Sequence, residues 1–224
     1  MKTNPFISWQ EWEGHVLDFF RFALLELVKQ PDLPHLEAHK TKDNLNRRFS
    51  LVCRRHIGAW SLDENRPQFS PYFSGRNQSR VEDTLPHESE NKEPDCQVIA
   101  YFDPLNSVQL YYTVECKRLY LANDDTPYGS CRYYVEDGVL RFIKREHSYG
   151  IDVPSGLMIA YFQSGELEPL FGQVNHYCNK NSVSSLVLND KWQPKGISEL
   201  GQDITRTEMK PEQFKLHHFW LDLR

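Results

Sequence analysis

The sequence contains no apolar run that approaches the roughly 18 residues that a transmembrane helix requires. Its mean hydropathy of -0.63 points the same way. The opening residues Met1 to Pro5 do not begin a secretory signal, because the stretch that follows, Ser8 to Glu13, is polar and rich in tryptophan. We therefore expect a protein that has neither a membrane-embedded segment nor a membrane partner.

Cysteine is scarce, and its spacing forms no recognisable pattern. The five cysteines are an odd number without any C-x-x-C pair, so neither a disulfide framework nor a zinc knuckle is indicated. We expect a reducing, cytoplasmic setting. An excess of positive charge is also missing, since the formal net charge is -5. Any contact with nucleic acid must therefore rest on local positive charge.

Aromatic residues are plentiful, at 13%, and the 224 residues are enough for one domain with a substantial core. The sequence Ser8-Trp9-Gln10-Glu11 is a capping box, and the apolar residues that follow have helical spacing until Pro31. This predicts an N-terminal helix within residues 8–30. It is apolar on more than one face, which indicates burial in the core or use at an interface.

A second helix is predicted from about Lys42 to Ile57, with one apolar face. Seven residues make almost two helical turns, so this helix aligns Arg47 with Arg54 and Arg48 with Arg55. Lys40, Lys42 and His56 add to the most basic surface of the chain. Two interpretations stay open for it, a solvated helix face and a surface that follows a phosphate backbone.

A long polar insertion, Ser61 to Glu93, leads into a predicted hairpin between Pro94 and Lys117. Two apolar strands flank the turn-forming stretch Asp103 to Ser107. The midpoint between Asp95 and Glu115 falls at Leu105, so the two carboxylates should meet at the open end of the hairpin.

Side chains alternate along a strand, so Glu115 and Lys117 should share one face while Cys116 points into the opposite layer. Two acids and a lysine at a strand end are a candidate metal site with a catalytic amine. The competing interpretation is an exposed surface ion pair, worth at most about 1 kcal/mol.

Beyond the hairpin, a helix is predicted from Cys131 or Tyr134 to about His147, followed by a buried strand at Leu157 to Phe162. This order implies an α/β fold with a central mixed sheet flanked by helices. We predict one domain over residues 1–224, with its core at about 42–162. A further helix is expected at Glu166 to Cys178, within a C-terminal elaboration (163–224) of peripheral strands or a short helix.

The pattern Pro94-Asp95, about twenty residues, then Glu115-x-Lys117 resembles the signature of the PD-(D/E)xK, or restriction endonuclease-like, nuclease superfamily. The resemblance covers this motif and the order of elements around it. Copies of E-x-K at Glu90 to Lys92 and at Glu208 to Lys210 lack the strand context. Of the three copies, the one that ends at Lys117 follows an apolar strand and faces a P-D.

The resemblance implies a restriction endonuclease-like fold and a nuclease that hydrolyses DNA phosphodiester bonds with Mg²⁺ or Mn²⁺, in restriction, phage defence or DNA repair. It makes Asp95 and Glu115 metal-binding carboxylates, adds the backbone carbonyl of Cys116 to the metal site, and makes Lys117 the catalytic lysine. A further acid is expected on a helix before the sheet, with Asp43 first, then Glu37 and Glu13. The basic side chains considered for nucleic-acid contact are Arg47, Arg48, Arg54, Arg55, Arg118, Arg141, Lys144 and Arg145.

Two alternatives remain. The first is a non-catalytic interaction subunit on the same fold, which the apolar surplus of the first helix favours: Trp9, Trp12, Phe19, Phe20 and Phe22. The second is an RNA-cleaving enzyme on the same fold. The sequence gives no base-reading motif that would name a recognition sequence. An acidic protein with such a site is also expected to depend on a homodimer mate or a protein partner to find its target.

Overall fold

The computed structural model describes residues 8–30, 42–61, 69, 71–73, 93–103, 108–121 and 129–224. The helices of these residues are α1 (Trp9–Val28), α2 (Lys42–Ser61), α3 (Gly129–Glu136) and α4 (Leu167–Lys180). Their strands are β1 (Pro71–Phe73), β2 (Cys96–Asp103), β3 (Val108–Leu119), β4 (Ser155–Phe162), β5 (Val187–Leu188), β6 (Ile197–Thr205) and β7 (Gln213–Asp222). None of the described helices is long and apolar enough to cross a membrane.

These strands form one mixed sheet in the order β1-β2-β3-β4-β7-β6-β5. The first three strands are antiparallel neighbours. β3, β4 and β7 run parallel, and β7, β6 and β5 are again antiparallel. The predicted α/β class, with a central mixed sheet and flanking helices, is confirmed.

The sheet separates two hydrophobic cores. On one side, which we call the α1/α2 face, Phe20 and Phe49 of the two long helices pack against Ile159 of β4. On the other side, the α3/α4 face, Tyr134 and Leu170 pack against the opposite surface of the sheet. Every residue of β4 is buried, as expected for a strand covered on both faces.

The first helix begins with the predicted capping box. Ser8 Oγ accepts a hydrogen bond from the backbone amide of Glu11, and Glu11 Oε2 accepts one from the backbone amide of Ser8. Trp12, Phe19 and Phe20 are buried in the α1/α2 core. The apolar residues on several sides of this helix are therefore used largely within the fold.

The register of the hairpin agrees with its predicted midpoint. Pairs from Cys96 opposite Val114 to Tyr101 opposite Gln109 are all centred on Leu105. The ladder is irregular next to the turn, between Tyr101 and Asp103. The predicted turn residues 104–107, and most of the polar insertion before the hairpin, lie outside the described residues.

The predicted end of the third helix, at about His147, is wrong. α3 stops at Glu136, and a 3-10 turn, Val139–Phe142, follows. The chain leaves the helix at Gly138, where only glycine fits, since an added Cβ would lie 2.3 Å from the carbonyl oxygen of Tyr134 and 2.6 Å from Met158. The tighter turn still buries the apolar residues Val139 and Phe142.

The expectation that the C-terminal elements are peripheral is also wrong. β7 lies between β4 and β6, in the interior of the sheet. Its residues Phe214, Leu216, Phe219, Trp220 and Leu221 are buried, some on each face. The strand β6 was not predicted, because some of its buried residues are polar. The region 163–224 therefore supplies a central strand of the sheet.

Candidate functional site

Asp95 lies immediately before β2, at the open end of the hairpin. Its Oδ2 accepts a hydrogen bond of 2.8 Å from the backbone amide of Cys116. The Asp95 side chain is 13% exposed. Because this bond crosses from β2 to β3 where Glu115 is located, the structure brings together the two carboxylates that the sequence pairs.

Glu115 is completely buried, and its two carboxylate oxygens have different surroundings. Oε1 accepts hydrogen bonds from Lys117 Nζ at 2.5 Å and from Arg141 Nη1 at 3.2 Å. Oε2 has no hydrogen-bond partner among the described residues. Burial raises the pKa of Glu115, the nearby charge of Asp95 raises it further, and three cationic side chains oppose the shift only in part.

Lys42, the first residue of α2, also enters the site. Its Nζ lies 2.9 Å and 3.1 Å from the two oxygens of Asp95, and 4.0 Å from Glu115 Oε1. Burial alone would lower the pKa of this lysine, but attraction to Asp95 and Glu115 outweighs burial and raises it. The sequence placed Lys42 on a basic helix surface. No spacing in the sequence relates Lys42 to Asp95 or Glu115, so sequence reasoning missed its place in the site.

Arg141 reaches Glu115 from the 3-10 turn that follows α3. Its Nη1 also donates a hydrogen bond of 3.2 Å to the hydroxyl of Tyr149. Burial would lower the pKa of Arg141, yet the charge of Glu115 keeps it raised. The early end of α3 therefore has a consequence for the site, because the turn after Gly138 carries Arg141.

The segment that contains Tyr149, the hydrogen-bond partner of Arg141, is held in place by a buried arginine. Arg206, which has no exposed surface, donates to the carbonyl oxygens of Tyr149 at 3.3 Å and Gly150 at 3.1 Å. It also donates to Pro211 O at 2.8 Å. Burial lowers the pKa of Arg206 to about 10. This arginine connects the Tyr149 segment to the β6–β7 connection, and no sequence pattern pointed to it.

The charges of the site do not cancel. Two carboxylates meet three cationic side chains, those of Lys42, Lys117 and Arg141. With both carboxylates ionised, the cluster therefore carries an excess of one positive charge. Such a site attracts an anionic phosphate group.

The described residues contain no group of three or more His, Cys, Asp and Glu that could hold a metal. Mg²⁺, however, is commonly held by one or two carboxylates and keeps several waters. Asp95 and the unpartnered Oε2 of Glu115 provide such a pair. The backbone of Cys116 lies beside them, because its amide donates a hydrogen bond to Asp95. The residues present therefore fit a cation that brings most of its ligands as water.

The other predicted site residues lie elsewhere or outside the described part. Asp43 is exposed on α2, and Glu37 is outside the described residues. Glu13 lies beside His217, with Oε1 3.3 Å from Nε2. Arg118 stacks over Tyr120. The exposed or partly exposed basic residues of α2 and of the segment after the 3-10 turn are Arg47, Arg48, Arg54, Arg55, Lys144 and Arg145.

The comparisons with known proteins add no relative. No family model, no curated protein and no solved structure matches this chain.

Proposed function

We propose that the protein is a metal-dependent nuclease of the PD-(D/E)xK type that hydrolyses DNA phosphodiester bonds. The observation that carries the proposal is the environment of Glu115. Its Oε2 is buried without a hydrogen-bond partner in the described residues, next to a second carboxylate and a lysine. A carboxylate oxygen left in this state suits a metal ligand better than a structural group.

The order of elements supports the same proposal. The resemblance implies the order helix, strand, strand, helix, strand around the motif. The elements α2, β2, β3, α3 and β4 have that order, with the three-residue strand β1 inserted between α2 and β2. Asp95 and Glu115 lie where β2 and β3 meet, and β4 pairs parallel with β3. A restriction endonuclease-like fold is consistent with this arrangement and is part of the proposal.

Each side chain then has a chemical role. Asp95 and Glu115, with the carbonyl of Cys116, would hold Mg²⁺ or Mn²⁺. When bound, the ion neutralises charge on the phosphate and lowers the pKa of the attacking water. The Lys117 ammonium, a compact charge fixed beside Glu115, orients that water or stabilises charge that develops on the phosphate. The guanidinium of Arg141 can bind a phosphate oxygen.

Cleavage of DNA by matched variants tests the proposal. We expect the wild type to cleave plasmid or single-stranded DNA with Mg²⁺ or Mn²⁺. Asp95→Asn and Lys117→Met should each reduce the rate about 100-fold or more, because they remove a metal ligand and a charge that acts in the transition state.

Lys29→Met is the matched control. Lys29, the residue that follows α1, is largely exposed and contacts Glu26, so its loss should leave the rate unchanged. Equal activity of the wild type, Asp95→Asn and Lys117→Met would contradict the proposal. Competition between DNA and RNA substrates decides whether the enzyme instead belongs to the RNA-cleaving members.

Phosphate binding without hydrolysis is the second candidate, and the excess positive charge of the site favours it. In that case the protein binds nucleic acid on a nuclease-like fold and depends on a partner for any cleavage. Retained DNA binding without cleavage at any metal concentration would favour this function. Light scattering of the purified chain would test the predicted homodimer.

A further inference from the structure

The ammonium group of Lys42 lies between the two carboxylates of the site. It is 2.9 Å and 3.1 Å from the Asp95 oxygens and 4.0 Å from Glu115 Oε1. A divalent cation that used both carboxylates would require the same region. The structure therefore has a positive charge of its own close to where the proposed metal would bind.

Lys42 differs from Lys117 in how its backbone is held. Lys117 is part of β3 and pairs with Ala160 of β4, so its backbone is fixed within the sheet. Lys42 is the first residue of α2. Its side chain is 23% exposed, about twice the 12% of Lys117. A long side chain at a helix end can turn outward by changing rotamers, without any strand moving.

Lys42 is one of three cationic side chains that stabilise the two carboxylates when no metal is bound. Asp95 and buried Glu115 repel one another, and attraction to Lys42 offsets part of that repulsion. Once a divalent ion binds the same carboxylates, the ammonium is repelled by a larger positive charge at short distance. Lys42 and the metal cannot both occupy the space between the carboxylates.

We propose that Lys42 is an internal competitor for the metal, which neutralises the carboxylates in the metal-free protein and is displaced when a divalent cation binds. This inference rests on the proposed function, because it assumes that Asp95 and Glu115 hold the metal. It adds a regulatory property of that site. The metal concentration at which the site fills is raised by the side chain of Lys42.

Direct titration of Mn²⁺ by calorimetry tests this without any substrate. Removing the competing charge in Lys42→Met should tighten Mn²⁺ binding about tenfold or more, because the ion no longer has to displace a like charge held a few ångströms from both carboxylates. Lys29→Met should bind Mn²⁺ as the wild type does, since Lys29 pairs with Glu26 on α1. Lys42→Gln serves as a second variant if Lys42→Met does not fold.

A second measurement needs no variant. Acetylation of lysines, followed by mass spectrometry, should modify Lys42 faster in the presence of Mn²⁺, because the displaced side chain faces solvent. The modification of Lys29, already 70% exposed, should not change.

The outcomes separate the two proposals. Unchanged or weaker Mn²⁺ binding by Lys42→Met, with binding by the wild type, would overturn the role of Lys42 and leave the nuclease proposal intact. Slower acetylation of Lys42 with Mn²⁺ would also overturn that role. Absence of Mn²⁺ binding in the wild type and in every Lys42 variant would overturn both.

Discussion

Two buried glutamates lie on opposite faces of the same sheet, and their surroundings differ. Glu115 lies with Asp95, Lys42, Lys117 and Arg141, and its pKa is raised. Glu13, on α1, lies against the α1/α2 face in what we call the Glu13 cluster, formed with His217, Ser155 and Tyr112. Burial would raise the pKa of Glu13, but polar contacts from these three residues outweigh burial and lower it.

The difference shows that burial of an acid does not by itself indicate function. The partners of Glu13 favour its ionised form, so this carboxylate stabilises the native protein. The surroundings of Glu115 disfavour its ionised form, because it is fully buried beside the charge of Asp95. A buried charge that weakens the fold and lies among other ionisable groups is expected at a functional site.

Catalysis should show the largest difference between the two acids. If the proposed function is right, Glu115→Gln should reduce single-turnover DNA cleavage with Mg²⁺ about 1,000-fold, because the variant loses the charge of a proposed metal ligand. Glu13→Gln should change the rate by less than about threefold, provided that the variant is folded at the assay temperature. An equal loss of activity in both variants would contradict the comparison.

Stability without metal should show the opposite order. Glu13→Gln removes a carboxylate whose contacts favour the charge, so we expect a loss of about 1–3 kcal/mol in the free energy of unfolding at neutral pH. Glu115→Gln should unfold at the same or a higher urea concentration than the wild type. A large loss of stability in Glu115→Gln would show that its contacts with Lys117 and Arg141 are structural.

The pH dependence of the free energy of unfolding should show the smallest difference between the two acids. The folded pKa of Glu13 lies below its ordinary value of 4.5, so its stabilisation is complete above pH 4.5 and is lost as the pH falls through the folded pKa. The folded pKa of Glu115 lies above 4.5, so stability falls as the pH rises from 4.5 through that pKa.

Urea unfolding from about pH 2.5 to about pH 7 covers both effects, each expected to be on the order of 1 kcal/mol. The difference between the wild type and Glu13→Gln should grow as the pH rises to 4.5 and then stay constant. Above pH 4.5, the wild type should lose stability relative to Glu115→Gln. Parallel curves for the three proteins would show that neither pKa differs between the folded and unfolded states.

Local patterns in the sequence predict much of this fold. The capping box at Ser8, the register centred on Leu105 and the buried strand β4 depend on residues close together in the chain. Asp95 and Glu115 could be paired for the same reason, since a hairpin relates them by simple counting. Spacing also predicted that Lys117 shares a face with Glu115, and the contact between them confirms it.

The parts that could not be predicted depend on contacts between distant residues. Lys42 and Arg141 reach the site from different elements, and no local spacing relates them to Glu115. β7 enters the sheet beside β4 through parallel pairing, which leaves no turn signal in the sequence. Gly138, just after α3, likewise packs against Met158 of β4, a strand that comes later in the chain.

The five buried thiols can report how often each core opens. Cys53, Cys96 and Cys116 are buried in the α1/α2 core, and Cys131 and Cys178 in the α3/α4 core. Burial raises the pKa of each thiol, so a thiol reagent reacts with one only after the surrounding structure opens. Labelling rates therefore report the opening of each core separately. Since the Cys116 amide binds Asp95, its thiol reports how often the α1/α2 core opens next to the open end of the hairpin.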